Sequence, residues 1–274
     1  MHDLCYSYYS SQSIVSQTSI ITFDVSGKPI FYSFFIEIKS LRNYLLIAMM
    51  GVLFSYSVYF FLSPEKIIHL GEENSFFELS TAFCFLLSAG LLIYLFIVRK
   101  NIFYLLLGIL LFFGAGEELS WGQHMFKFKT PEKIKTNNFQ GEFNIHNMEI
   151  FNTEKFDRCR KSGLERLLEI NFLFRVFYII YCIVIPFAFI TFSPVKALAE
   201  KIRLPIPPLS VGLFFILNWI LYKLTLESIA QNHPLPFYET STEIFEFNAS
   251  LLWLLISYYF LLKYRNDRIV MKVS

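Results

Sequence analysis

The sequence predicts an all-α fold, a polytopic membrane bundle of about six transmembrane helices. The composition is the first observation behind this prediction: of 274 residues, 55% are hydrophobic and 33 are phenylalanine, and the mean hydropathy is +0.48. A soluble core of this size cannot enclose so much apolar surface. The second observation is that the apolar residues form runs close to 20 residues long, a length that crosses about 30 Å of hydrocarbon.

These runs are the candidate membrane-spanning helices, and they cover residues 44–62, 76–98, 102–116, 172–192, 209–224 and 244–262. The third run is too short to span unless its helix continues through the polar residues that follow, which would place those residues at membrane depth. The predicted transmembrane domain is therefore 41–274, with a long extracytoplasmic loop at 117–171.

Residues 1–40 precede the first run and are polar and aromatic. Turn residues at 26–29 separate two short apolar stretches, which predicts a β-hairpin, and a disordered tail is the alternative. The segment lacks the basic start and uninterrupted apolar stretch of a signal peptide. We therefore expect the first membrane helix to direct insertion.

Charge orients the predicted bundle and limits its partners. Outside the long loop, lysine and arginine residues lie mainly before the first run, after the second, between the fourth and fifth, and in the tail, with Lys66 and Lys223 as exceptions. The positive-inside rule makes that side cytoplasmic, with both termini inside, in a bacterial inner membrane. The long loop itself holds nine basic and seven acidic residues from Lys127 to Glu169, and long loops follow the positive-inside rule poorly.

A net charge of +2 without a basic stripe argues against a nucleic-acid partner. The 4 cysteines form no close pair, so neither a disulfide framework nor a cysteine zinc site is predicted.

The end of the third run carries Glu117, Glu118, Ser120 and His124. Ionisable groups at membrane depth are costly and are usually functional. If the helix continues through this motif, Glu117, Ser120 and His124 share one face, which could hold a metal or relay a proton. We predict Glu118, Ser120 and His124 as catalytic residues. The alternative is structural, with Glu117 or Glu118 paired to Arg175 in the fourth helix.

Two further polar clusters fall on the same side of the predicted membrane. Glu78 lies about one turn inside the second helix, at the depth expected for Glu118. Glu142 and His146 lie in the long loop, four residues apart, and would share one face of a helix. Neutral imidazole is a common metal ligand and general base, although this spacing is also frequent in solvated loops.

The last predicted helix opens with Glu239, Glu243 and Glu246 at helical spacing. Like charges so placed destabilise a helix unless a cation, a proton or a basic partner intervenes. The alternative is that Thr240 or Ser241 caps the helix and the first two glutamates belong to its first turn. Glu246 lies deepest in the predicted membrane and is the strongest candidate of the three.

Together the four clusters predict a site at the extracytoplasmic membrane face, with Glu78, His146 and Glu246 as ligands of a divalent metal. Such a metal polarises an ester, amide or phosphoryl group, while a carboxylate such as Glu118 shuttles the proton. Because the site would face both acyl chains and water, we predict a metal-dependent hydrolase or transferase acting on a lipid or lipid-linked substrate.

Three strings of residues resemble a signature of uncharacterised bacterial multi-pass membrane proteins: Gly-Glu-Glu-Leu-Ser-Trp-Gly-Gln at 116–123, Thr-Pro-Glu at 130–132 and Gln-Gly-Glu-Phe-Asn-Ile-His-Asn at 140–147. A smaller set is similar to alkaline ceramidases and related membrane hydrolases. Ser120 and His124 match the Ser-x-x-x-His of that family, and the acidic segment 72–78 resembles its carboxylate-rich helix entry. The His-x-x-x-His of that family is absent, and the last helix carries glutamates instead.

Two other classes remain open. In a cation- or proton-coupled carrier the acidic residues would bind the transported ion, although no inverted repeat is evident. In a partner-binding or assembly subunit without catalysis the polar clusters would be structural, and the aromatic faces would dock a membrane protein partner. Metal dependence favours the enzyme, ion flux in liposomes favours the carrier, and co-purification with one stable partner favours the assembly subunit.

Overall fold

A computed structural model describes residues 30–72, 74–152, 155–157, 159, 161–228 and 235–273 of the chain. Within these residues the fold is helical, with one isolated antiparallel β-bridge between Asn138 and Met148. The helices are α1 Ile30–Phe61, α2 Pro64–Leu70, α3 Phe76–Arg99, α4 Ile102–Glu118, α5 Gln123–Phe126, α6 Glu132–Lys135, α7 Ile170–Tyr178, α8 Ile185–Thr191, α9 Ser193–Ile202, α10 Leu209–Ser228 and α11 Leu235–Val273. Two 3-10 segments, Ser120–Gly122 and Gly163–Leu168, and a π-helical turn, Ile179–Val184, connect some of them.

The described part of the chain contains five helical segments long and apolar enough to cross a membrane: Leu41–Phe61, Phe76–Arg99, Ile170–Thr191, Leu209–Glu227 and Glu239–Asp267. A sixth is formed if α4 is counted together with Ser120–Phe126, which is bent from it by 68°. The predicted all-α membrane bundle is therefore confirmed, and the protein is an integral membrane protein. The predicted N-terminal hairpin lies largely outside the described residues, and its last positions, from Ile30, belong to α1.

Helices α3 and α11 form the centre of the bundle. Helix α3 packs along α4 on one side and along α11 on the other, while α1 and α10 pack on α11 and on each other. Trp253 of α11 is fully buried, and the rings of Phe177 and Tyr181 stack on it at centroid distances of 5.6 and 5.9 Å. The span that begins with α7 is thereby fixed against α11.

A close approach joins the α7–α8 span to α10. Pro186 has no N–H, so it cannot donate the usual helical hydrogen bond to the carbonyl of Cys182, and the backbone just before it forms the π-helical turn. Gly212 of α10 lies directly against that carbonyl, and a Cβ there would overlap with it. Glycine is therefore required at this crossing, as is common where membrane helices pack closely.

Buried polar side chains also connect α1, α10 and α11. The amide nitrogen of Asn248 donates to Ser55 Oγ at 2.8 Å and to Asn218 Oδ1 at 3.1 Å. Tyr56 donates to the same oxygen of Asn218 at 3.0 Å, and Asn218 donates to the carbonyl of Phe245 at 2.9 Å. Because lipid offers no partner for these groups, they favour one arrangement of the three helices.

The two ends of the bundle differ in charge. At one end, α2 and the start of α11 are joined by a hydrogen bond from Thr240 Oγ1 to the carbonyl of Ile67 at 3.0 Å. At the other end, Arg99 pairs with Asp267, and Asn101 donates to the carbonyl of Arg203 at 2.6 Å. We call the first the acidic end, because the glutamate clusters lie there, and the second the basic end.

Candidate functional site

Helix α4 stops at Glu118, and the backbone then turns through three residues with positive φ. The φ angles of Ser120, Trp121 and Gly122 are 43°, 54° and 80°. The prediction that one helix continues from Glu117 to His124 is therefore wrong. Serine and tryptophan rarely adopt this conformation, which costs about 1 kcal/mol or more for each residue and is typical of sites where function or packing demands it.

Contacts with Trp121 explain the turn. Its indole lies over Gly116, where a Cβ would come within 2.9 Å of the ring. The same indole meets the rings of Phe112 and Phe113 edge to face, and its Nε1 donates to Glu117 at 2.7 Å. The chain thus folds back over the last turns of α4, and Gly116 provides the space.

Glu117 holds the long loop against this turn. Its carboxylate is buried and accepts the backbone N–H groups of Ile145 and His146 at 2.6 and 2.8 Å, in addition to the indole of Trp121. The Nδ1 atom of His146 lies 3.5 Å from the same carboxylate. Glu117 is therefore surrounded by donors and acts as an anchor of the loop.

A second buried carboxylate, Glu142, joins two of the predicted catalytic residues. Ser120 donates its hydroxyl to one oxygen of Glu142, and Nε2 of His124 lies 2.6 Å from the other oxygen. Asn144 adds a hydrogen bond to Ser120 Oγ at 3.0 Å. Glu142 and His146 lie in an irregular loop, the alternative considered for this spacing, so they share no helix face, and each contacts a different partner.

Glu118 does not share the contacts of Glu117 and lies instead with two glutamates of α11. One carboxylate oxygen of Glu118 and one each from Glu243 and Glu246 lie within 4.8 Å of one another. The three side chains are half-buried and come from the end of α4 and the third and fourth turns of α11. Three carboxylates this close repel one another unless a cation or protons neutralise them.

The carboxylates of Glu118 and Glu246 reach a cavity of about 380 Å³ between α3, α4, α7 and α11. Its walls are mostly aromatic and aliphatic, with Phe85, Phe113 and Phe174 among the lining residues. The described residues that line it include no lysine or arginine. His146 and Glu117 also line it. The cavity therefore combines the carboxylates of Glu118 and Glu246 with apolar walls.

No family model matches the chain, and comparison with characterised proteins and with solved structures yields no match. The site must therefore be interpreted from its own chemistry.

The structure separates the predicted site residues into two groups. Glu118 and Glu246 converge with Glu243, whereas Ser120 and His124 meet at Glu142 and do not line the cavity. His146 lines the cavity, as Glu246 does.

The remaining acidic and basic residues of the prediction do not line the cavity. Glu78 is half-buried and accepts the backbone N–H of Asn74, and it is not part of the cluster of Glu118, Glu243 and Glu246. Glu239 is exposed. Arg175 donates to the carbonyl of Asn171, in its own helix, at 3.0 Å, and no ion pair joins it to a glutamate among the residues described.

Glu243 and Glu142 belong to the site, although neither was among the predicted catalytic residues or metal ligands. The spacing of Glu243 and Glu246 placed both on one helix face, but it could not show that α4 delivers Glu118 to the same point. In the sequence, the only indication of a role for Glu142 was its Glu-x-x-x-His spacing to His146. Its contacts with Ser120 and His124 depend on an irregular loop that has no periodic signal.

Proposed function

We propose that the protein is a membrane-embedded, metal-dependent hydrolase or transferase whose substrate is a lipid or a lipid-linked molecule. The observation that carries this proposal is the convergence of Glu118, Glu243 and Glu246 at the acidic end of an apolar cavity. The carboxylates supply a cation site, and the walls supply room for a hydrocarbon chain.

The three carboxylates suit a hard divalent cation such as Mg²⁺ or Mn²⁺, for which oxygen atoms are the preferred ligands. Together they bring up to three negative charges to one point, and a divalent ion would offset most of the repulsion. A metal bound there would polarise an ester, amide or phosphoryl oxygen and increase the acidity of bound water.

Residues around the carboxylates supply the other functions that such a reaction needs. His146 lines the same cavity as Glu246, so its imidazole is available there to accept or donate a proton. The apolar walls, among them Phe113 and Phe174, would exclude water and hold an acyl or isoprenoid chain. In this proposal Glu118 changes role, from the predicted proton shuttle to a metal ligand.

We assign Ser120 and His124 a positioning role through Glu142. Ser120 is only 1% exposed and its hydroxyl is committed to Glu142, so substrate cannot reach it without movement of the loop. The network fixes the loop that carries His146. In this proposal Ser120 and His124 share with alkaline ceramidases only the Ser-x-x-x-His spacing. The metal ligands are the glutamates of α11, where that family has its terminal histidines.

Metal content tests the proposal. We would purify the wild type in detergent beside Glu118→Gln and Glu246→Gln, and measure bound metal by elemental analysis after dialysis against Mg²⁺ or Mn²⁺. Glu239→Gln is the matched control, since Glu239 lies on the same helix and is exposed. The expected result is near-stoichiometric metal in the wild type and control, and loss in the other two variants. Metal-free wild type, or equal metal in all four proteins, would overturn it.

A cation carrier is the second candidate, because half-buried carboxylates inside a spanning segment can bind an ion that is then transported. Ion flux into liposomes separates the two. A wild-type flux that Glu246→Gln abolishes, with no turnover of bilayer lipids, favours the carrier. Turnover of a lipid that depends on the added metal favours the enzyme.

A further inference from the structure

A second cavity, of about 510 Å³, lies at the basic end of the bundle. It is lined by the ends of α3 and α9, the start of α4, the end of α8, the loop from Arg203 to Pro208 and the part of α11 around Lys263. Lys263 lies 17 residues beyond Glu246 on one continuous helix, about 25 Å along its axis. The two cavities are therefore close to opposite membrane surfaces.

Three cations line this second cavity: Arg99, Arg203 and Lys263. Arg99 pairs with Asp267 and lies over the ring of Tyr264 at 5.0 Å, but its Nε is buried and donates no hydrogen bond within the described structure. Arg203 and Lys263 are exposed, and neither has an ion-pair partner among the described residues. The cavity thus offers two unpaired positive charges and an unused N–H group.

Two carboxylates also line the cavity. Glu37 accepts the backbone N–H of Ser210 at 2.8 Å, and Glu200 is exposed, on α9. The lining therefore carries three cations against two carboxylates, an excess of one positive charge.

The frame of the cavity is fixed before any ligand binds. The loop from Arg203 to Pro208 contains three prolines, at 205, 207 and 208. Its carbonyl groups at Arg203 and Pro205 accept hydrogen bonds from Asn101 and Tyr181, both at 2.6 Å. Phe189, Ile190 and Phe260 give the cavity an apolar wall. Cationic side chains together with an apolar wall match a lipid headgroup with the first part of its chains.

We propose that this cavity binds the phosphate of an anionic phospholipid, with Arg203 and Lys263 facing the phosphate. The positive-inside rule makes this end cytoplasmic, where the leaflet carries anionic lipids. The proposal is independent of the metal site, because it concerns the opposite end of the bundle and other residues. Its ligand is a phosphodiester lipid, and free phosphate lacks the chains that the apolar wall would contact.

Native mass spectrometry of detergent-solubilised protein tests it, with phosphatidylglycerol and phosphatidylcholine titrated separately. Arg203→Gln and Lys263→Gln are the test variants, and both side chains are exposed, so folding should be preserved. Lys201→Gln is the matched control, since Lys201 is exposed at the same end and does not line the cavity.

We expect the wild type and Lys201→Gln to prefer phosphatidylglycerol, and each test variant to bind it about fivefold more weakly. Millimolar inorganic phosphate should not displace the lipid. Equal binding of the two lipids, equal phosphatidylglycerol affinity in all four proteins, or displacement by inorganic phosphate would overturn the proposal. Thermal unfolding of each variant confirms that any loss comes from the site.

Discussion

Glu117 and Glu118 are adjacent in the sequence, yet their carboxylates belong to different parts of the structure. Glu117 is enclosed by donors from Trp121, Ile145 and His146, whereas Glu118 lies with two other carboxylates beside the cavity. The first anchors the loop, and the second is the centre of the proposed site.

Substitution of these neighbours should therefore have opposite effects in metal-free protein. Glu117→Gln should lower the free energy of unfolding by about 1 to 3 kcal/mol, because buried N–H groups lose a charged acceptor. Glu118→Gln should raise it by about 1 kcal/mol, because one of three mutually repelling charges is removed. Thermal unfolding in detergent with EDTA measures both. Equal destabilisation by the two variants would contradict the separation of roles.

Addition of a divalent cation should stabilise the wild type. Binding to the folded state alone contributes about 2.7 kcal/mol when the free ion is at about 100 times its dissociation constant. The Tm should therefore rise with Mg²⁺ or Mn²⁺ and fall again with EDTA. Glu246→Gln should show little response, and Glu239→Gln should respond as the wild type does. A Tm that ignores both cations in the wild type would contradict the prediction.

Gly116→Ala should destabilise the protein, by about 1 to 3 kcal/mol, because the added methyl group overlaps with the indole of Trp121. Gly90→Ala is the control: a Cβ at Gly90 meets nothing within 4 Å, and alanine favours the helix. The measurement is the unfolding midpoint, supported by the emission of Trp121 in a protein whose other tryptophans are replaced by phenylalanine. Similar midpoints for both alanine variants would argue against the fold-back.

Asn248→Leu should weaken the contact among α1, α10 and α11. The amide of Asn248 contacts Ser55 and Asn218, and the loss of such hydrogen bonds between membrane helices costs about 1 to 2 kcal/mol. Ser57→Ala is the comparison, because that hydroxyl bonds only within its own helix, to the carbonyl of Phe54. Unfolding in a denaturing detergent should separate the two variants. No difference between them would show that the polar network contributes little.

The spans could be predicted from the sequence because each is a long apolar run that the membrane itself selects. The predicted runs 76–98 and 102–116 agree with α3, Phe76–Arg99, and α4, Ile102–Glu118, to within two residues at each end. Polar residues follow each run, so the local hydropathy was enough to predict where each span ends. Which helices pack together was not predictable in this way, since α3 contacts α11 through residues distant in sequence.

The site was predictable only in part. Glutamates at the ends of runs indicated that Glu118 and Glu246 lie at one membrane face, and the structure brings them together. The turn after Glu118 was missed because helical spacing was extended through Ser120 and Trp121, whose positive φ angles depend on tertiary contacts. The partners of Glu142 and His146 were missed for the same reason, since loop contacts follow no period.

The end of α4 at Glu118 also contributes to the negative electrostatic potential of the site. The carbonyl groups of a helix's last turn lack helical donors and carry a partial negative charge, equivalent to roughly half an electron. Here that charge adds to the carboxylate of Glu118 and, across the cluster, to those of Glu243 and Glu246. A free phosphate or carboxylate would be repelled at this position. A substrate with an anionic reacting group should therefore bind only after the cation, so the metal and substrate should add in that order.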